Sequence, residues 1–182
     1  MNSRTTDGPP RAALIAAVLV AVGAAVAVLV VVALQQHSPA PTPVAVSGVP
    51  APQADGPDCA ALVDALPDQL GDYHRAELVQ PAPAGAAAWQ RDGTSAPLIL
   101  RCGLDRPAEF VAGTPLQVVD AVSWFRTTAD PDDGRRTWFA VDRPVYVALT
   151  LPQDAGATPI QAISATIAAT LPATPVTPGP VP

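Results

Sequence analysis

Lysine is absent from this chain of 182 residues; all ten basic side chains are arginine. That bias, beside abundant Ala, Pro, Val and Asp, is typical of a GC-rich bacterial genome, so the expected source is a bacterium. Positive charge is scarce as well. Residues 58–172 carry 14 acidic against 8 basic side chains, and the whole chain has a formal net charge of −6. Such a balance argues against nucleic acid or an anionic lipid surface as a partner of this region. Histidine is limited to His37 and His74. A zinc site takes about three or four ligands, and a hydrolase triad takes a positioned nucleophile. Neither Gly-x-Ser-x-Gly nor His-Glu-x-x-His occurs in the chain. No internal repeat is visible. The expectation is a protein that is not an enzyme and carries no cofactor.

Polarity is missing altogether from residues 12–34, an unbroken run of 23 Ala, Val, Leu, Ile and one Gly. As a helix the run is about 34 Å long, enough to cross a bilayer core of about 30 Å. Arg4 and Arg11 precede it, and the next basic residue is Arg75. The positive-inside rule then puts residues 1–11 in the cytoplasm and the rest outside a bacterial plasma membrane. The competing reading is a cleaved signal peptide, whose apolar core is normally about 7–15 residues. Ser38-Pro39-Ala40 faintly resembles a cleavage site, but Pro41 follows directly. The uncleaved anchor is therefore preferred. Cys59 and Cys102 are the only cysteines and neither follows the run, which argues against a lipid-modified N-terminus. Ala13, Ala17, Ala21 and Ala25, with Gly23 and Ala27, form small-residue stripes through which two such helices could pair as a homodimer, although an alanine-rich run produces these spacings by chance.

Residues 35–57 hold six prolines and read as an extended linker reaching up to about 70 Å. Residues 173–182 are again proline-rich and read as a disordered tail. One domain, 58–172, lies between them. Two cysteines in an exported domain read as one disulfide, Cys59 to Cys102. A reactive thiol at Cys59 is the lesser alternative.

Within the domain, Asp58 is placed to cap a helix carrying Leu62, Val63 and Leu66, limited by Pro67 and Gly71. Arg75–Gln80 reads as a short strand and Ala86–Trp89 as a helical turn. Residues 97–103 and 117–127 read as strands. Phe139, Val141, Val145, Val147, Leu149 and Leu151 alternate as in strands, interrupted at Asp142-Arg143-Pro144. Thr158 and Pro159 open a helix with the apolar stripe Ile160, Ile163, Ile167 and Leu171, ended by Pro172. The sum is an α+β domain with a mostly antiparallel sheet and helices on one face.

Asp58-Cys59 opens a helix into Ala65-Leu66-Pro67, followed by Trp89, Arg101-Cys102-Gly103 and Arg106-Pro107, then by Val122-Ser123-Trp124 and Val141-Asp142-Arg143-Pro144-Val145-Tyr146-Val147. In these motifs the domain resembles DUF3515, an actinobacterial family of unknown function. The resemblance implies a secreted or single-span membrane protein and supports the cysteine pairing. It implies no activity, cofactor or substrate.

Candidate chemistry is correspondingly thin. His74 with Asp72 and Glu77 suggests an acid–base or metal group, but an exposed loop histidine is the preferred reading. Asp130, Asp132 and Asp133 suggest calcium. An EF-hand spacing fails, however, at Pro131, at Gly134 and at Val141, so a turn between strands is preferred. Arg135 and Arg136 follow these acids and are placed to pair with them. Trp89, Trp124, Trp138, Tyr146 and Arg143 are candidate interaction residues, since Trp and Arg favour interface hot spots. At least some of the tryptophans must be core. Asp142 and Arg143 are also placed to pair locally. Arg101, inside an apolar strand, is expected to pair with a carboxylate at the sheet edge. The leading reading is a non-enzymatic envelope module that binds another envelope protein or wall component. The alternatives are a small-ligand sensor or carrier with a cleft over the sheet, or an unfamiliar enzyme.

Overall fold

The structure is a computed structural model that describes residues 11–36, 42–91, 96–128 and 134–181. Residues 1–10, His37 and the Asp130–Asp133 cluster lie outside the described residues. The chain divides into two units, residues 1–40 and 41–182.

The first unit is one helix, α1 (Arg11–Gln36). Its stretch Ala12–Val32 is long and apolar enough to cross a membrane, or to act as a signal sequence.

The second unit holds helix α2 (Pro57–Ala65), strands β1 (Gln69–Leu70), β2 (Tyr73–Ala76), β3 (Ala86–Gln90) and β4 (Leu98–Leu104), β5 (Gln117–Val119), β6 (Val122–Arg126), β7 (Arg135–Ala140) and β8 (Tyr146–Pro152), and helix α3 (Thr158–Thr170). The strands form one antiparallel sheet in the order β1-β2-β3-β4-β8-β7-β6-β5. It is two consecutive meanders joined along β4 and β8. Both joining strands are central, and both are buried along most of their length, β4 as Leu98–Leu104 and β8 as Val147–Pro152. Strands covered on both faces lose the polar-apolar alternation that a half-exposed strand keeps.

One face carries the helices. Leu62 of α2 and Ile160, Ile163 and Ile167 of α3 pack with Trp89, Leu98, Leu100, Trp124, Val147 and Leu149 into the main core. Trp89 donates from Nε1 to the Pro67 carbonyl at 2.8 Å, and Trp124 donates from Nε1 to Ser164 Oγ at 2.9 Å. Ser164 Oγ in turn donates to the Ile160 carbonyl at 2.7 Å. Both indoles thus bury their rings and still satisfy their N–H groups. Cys59 of α2 and Cys102 of β4 are joined as a disulfide across this core.

The other face is covered by chain of irregular structure. Residues 42–56 form a strap across the first meander. Val44 N–H donates to the Glu77 carbonyl, Val79 N–H donates to the Val44 carbonyl, and Gln53 N–H donates to the Gly103 carbonyl. Val44 packs with Ala76 and Ala88. Over the second meander, the β4–β5 connection buries Phe110 against Phe125 and Val141. The C-terminal segment backs that connection, with Ala112 N–H bonded to the Gly179 carbonyl and Gly179 N–H to the Phe110 carbonyl.

Several elements differ from the sequence reading. Ala86–Trp89 is a strand rather than a helical turn, because the left-handed Gly85 (φ 66°) turns it in between β2 and β4. Residues 117–127 are a hairpin rather than one strand, folded at Asp120, whose φ is 51°. β2 ends at Ala76, and Leu78 bridges to Val44 instead of continuing it. Helix α2 is capped at Gly56 with Pro57 in its first turn, so Asp58 lies inside the helix. Residues 42–56 and 174–179, read as linker and tail from their prolines, both carry backbone bonds to the domain. The bonds are made by the residues between the prolines, Val44, Gln53, Thr174 and Gly179, which keep the N–H that proline lacks.

Candidate functional site

All three tryptophans stand on the helix-covered face and differ in depth. Trp89 and Trp124 lie on the helix-covered face and are wholly buried, so neither offers an interaction surface. Trp138 and Tyr146 are half-buried. Arg143 is also buried, against expectation for an interaction residue. Its Nη1 donates to the Asp142 carbonyl at 2.8 Å and lies 2.9 Å from Asp142 Oδ1, and its Nη2 donates to the Ala121 carbonyl at 2.7 Å. Asp142 Oδ2 accepts from the Ser123 N–H at 2.8 Å. The expected Asp142–Arg143 pair therefore exists, and its work is structural: it ties the β7–β8 connection to the β5–β6 hairpin. At 7 % exposure Arg143 presents little surface of its own.

His74 is exposed on β2, opposite Gln69 and Gln90, with Asp72 and Glu77 also exposed. Among the described residues no three His, Cys, Asp or Glu side chains come together as a metal site would require. Next to His74, Arg91 pairs with Asp154 and sits 5.1 Å from the centre of the Tyr73 ring. The hydrogen bond from Arg91 holds the Asp154 carboxyl below its usual range. Arg75 lies 4.9 Å from the centre of the Trp89 ring, and burial lowers its pKa, with Asp68 partly opposing the shift.

Hollows lie on both faces of the sheet. The smaller, about 270 Å³, lies where Arg136, Trp138, Leu151 and Gln153 meet the start of α3 at Ala157 and Ile160. The larger, about 360 Å³, lies on the strap-covered face. It is the gap between the two coverings: the strap contributes Val49 and Pro50 on one side, and the central strands contribute Arg101, Leu104, Thr137, Phe139, Ala148 and Thr150 as its floor, with Asp105 exposed at the rim. The register explains the floor. Arg101 pairs with Ala148 and Ala148 with Phe139, so these three side chains stand in one row on one face. Thr137 and Thr150 form the next row and share a hydrogen bond at 3.0 Å.

Arg101 is the feature that sequence reasoning placed wrongly. Its strand is central, not at an edge, and no carboxylate meets it among the described residues. Its Nε is buried without a hydrogen-bond partner there. Burial lowers its pKa, and the neighbouring Arg135 lowers it further. The signal in the sequence was the arginine itself, the one charged residue in Leu98–Leu104.

An α+β domain of two meanders, disulfide-closed and preceded by a span-length apolar helix, defines the class of the protein. Residues 18–176 match the family described as "Protein of unknown function (DUF3515)", and the chain belongs to that family. No curated protein and no solved structure matches the chain.

Proposed function

We propose that this protein is a single-pass, membrane-anchored component of a bacterial cell envelope whose domain is displayed outside the plasma membrane and works by binding, without turnover. The observation that carries the reading is the pairing of a span-length apolar helix with a disulfide in the other unit. Disulfides persist in oxidising compartments, and Arg4 and Arg11 before the helix favour a cytoplasmic N-terminus. The bound component in this reading is another envelope protein or a wall component, and the anchor makes homodimers through Ala13, Ala17, Ala21 and Ala25 a second level of assembly. Protease added to spheroplasts tests the topology. Loss of the domain, with an N-terminal tag protected, is the expected result, and a protected domain overturns it. Cross-linking in whole cells, with and without exchange of residues 12–34 for an unrelated span, then tests the partner. One reproducible partner supports the reading and shows which unit holds it.

A second reading is favoured by the groove between strap and β4–β5 connection. A site of about 360 Å³ that sets a few polar groups, Arg101, Thr137 and Thr150, among apolar side chains has the size and character of small-molecule sites. The domain is then a ligand-binding sensor or carrier.

A further inference from the structure

We propose that the groove over β4, β8 and β7 binds an anion-headed amphiphile, a single carboxylate or phosphate on a short apolar body, with Arg101 as the residue that receives the anion. The inference deepens the ligand-binding reading and rests on it.

Three observations converge. The first is the arginine. A guanidinium has five N–H donors and cannot shed its charge, so removal from water without a partner is costly. Arg101 is half-buried in the middle of the sheet, makes no hydrogen bond and no ion pair among the described residues, and has its Nε turned away from water. In Arg143, the other deeply placed arginine, Nη1 and Nη2 are met by the Asp142 and Ala121 carbonyls and the Asp142 carboxylate, while Nε is buried without a partner. Arg143 thus keeps both terminal nitrogens bonded within the fold and Arg101 keeps neither bonded among the described residues, which suits a site whose partner comes from outside.

The second observation is the charge around it. Arg135 stands on the same face of the sheet, and its repulsion, after burial, makes the Arg101 cation harder to hold in the empty domain. An entering anion relieves both penalties, and charge-assisted N–H···O⁻ bonds are the strong ones. Asp105 is exposed at the rim and forms no ion pair with Arg101.

The third is the rest of the lining. Val49, Pro50, Leu104, Phe139 and Ala148 offer an apolar body a dry surface. The Thr137 and Thr150 hydroxyls bond each other, which meets one of their two O–H donors within the floor. A bare inorganic anion would leave that surface uncovered, and a neutral apolar molecule would leave the arginine unmet. Only a ligand with both parts answers both.

The test uses the full chain in phosphatidylcholine nanodiscs, with empty discs as reference, and follows the ¹⁵N Nε–H signal of Arg101, assigned by its loss in R101K. Hexanoate, hexyl phosphate, hexanol and inorganic phosphate are titrated separately. Saturable binding of hexanoate or hexyl phosphate with a shift of the Arg101 signal is the expected result, with hexanol and inorganic phosphate each at least about tenfold weaker. The two anionic probes separate a carboxylate ligand from a phosphate one. R101L is expected to weaken the anionic probes by about 10- to 100-fold while the unliganded domain melts no lower than the wild type, since an apolar side chain there removes an unmet charge. Equal binding of hexanol and hexanoate, both unaffected by R101L, overturns the anion assignment and leaves a ligand groove standing. Failure of every probe to bind overturns the assignment and the ligand-binding reading together. A lower melting temperature for R101L, without any Arg101 signal shift in the wild type, assigns the arginine to structure.

Discussion

Single side chains in this domain have unequal freedom to change, and buried polar groups decide which. Trp124 Nε1–H is met only through Ser164 Oγ, on a helix that packs over its strand. Ser164→Ala leaves that donor buried and unmet, at a cost of about 1–3 kcal/mol, whereas Trp124→Phe removes the donor along with its need. Urea unfolding of S164A, W124F and the double variant checks this: the serine change is expected to cost clearly less on the phenylalanine background. Arg143 is a stronger case. Its guanidinium neutralises Asp142, which is itself buried and holds the Ser123 N–H. Arg143→Met strands the carboxylate, and removal of one partner of a buried pair costs about 3–5 kcal/mol. The expected outcome is a domain near the limit of its stability, read as a large drop in the urea midpoint with the slope retained. Adding Asp142→Asn should recover part of the loss.

At the scale of elements, one glycine decides whether the strap can lie on the sheet. Gly103 has φ of 83° and sits at the register shift between Cys102 and Leu104. A Cβ there would stand 2.3 Å from the Ala54 nitrogen, so the strap backbone itself occupies the space a side chain would need. Gly103→Ala combines left-handed strain of about 1–2 kcal/mol with overpacking of about 1–3 kcal/mol. Gly113 is the natural comparison, since its φ of 88° is as demanding but nothing lies within 4 Å of its added Cβ. Gly113→Ala should therefore cost the strain alone. The difference between the two thermal shifts measures the strap contact, and G103A alone should expose residues 42–56 to limited proteolysis. The same elements show what a sequence makes legible. Helix α3 was readable because Ile160, Ile163 and Ile167 keep a helical spacing on their own, and β4 because Leu98, Ile99 and Leu100 make a short apolar run after Pro97. The α+β class and the cysteine pair followed from such local patterns. β3 was not readable, since Ala86, Ala87 and Ala88 favour a helix in isolation and become strand only through pairing on both sides. The strap hid behind its prolines, because its bonds go to residues far along the chain. The groove was out of reach for the same reason: its lining comes from the strap and three strands, and only the lone charge of Arg101 hinted at it.

For the whole molecule, the disulfide links the stability of the second unit to the redox state around it. Residues 41–182 form a unit with its own core, helices and sheet. The Cys59–Cys102 bond spans 43 residues and joins α2 to a central strand, so it restricts most of the first meander in the unfolded chain. On the loop-entropy account, closing that loop stabilises the domain by about 4 kcal/mol. A domain without residues 1–36 should therefore remain folded and soluble when oxidised, and lose about 10–20 °C of melting temperature on reduction. Melting scans with and without reductant check the size of the shift, and C59A/C102A should match the reduced form and ignore the reductant. A reduced domain as stable as the oxidised one would remove the physical link between the disulfide and an oxidising location. The topology would then rest on the apolar helix and its flanking arginines alone. A shift of the expected size would mean that the domain reaches its full stability only after crossing the membrane that α1 is long enough to span.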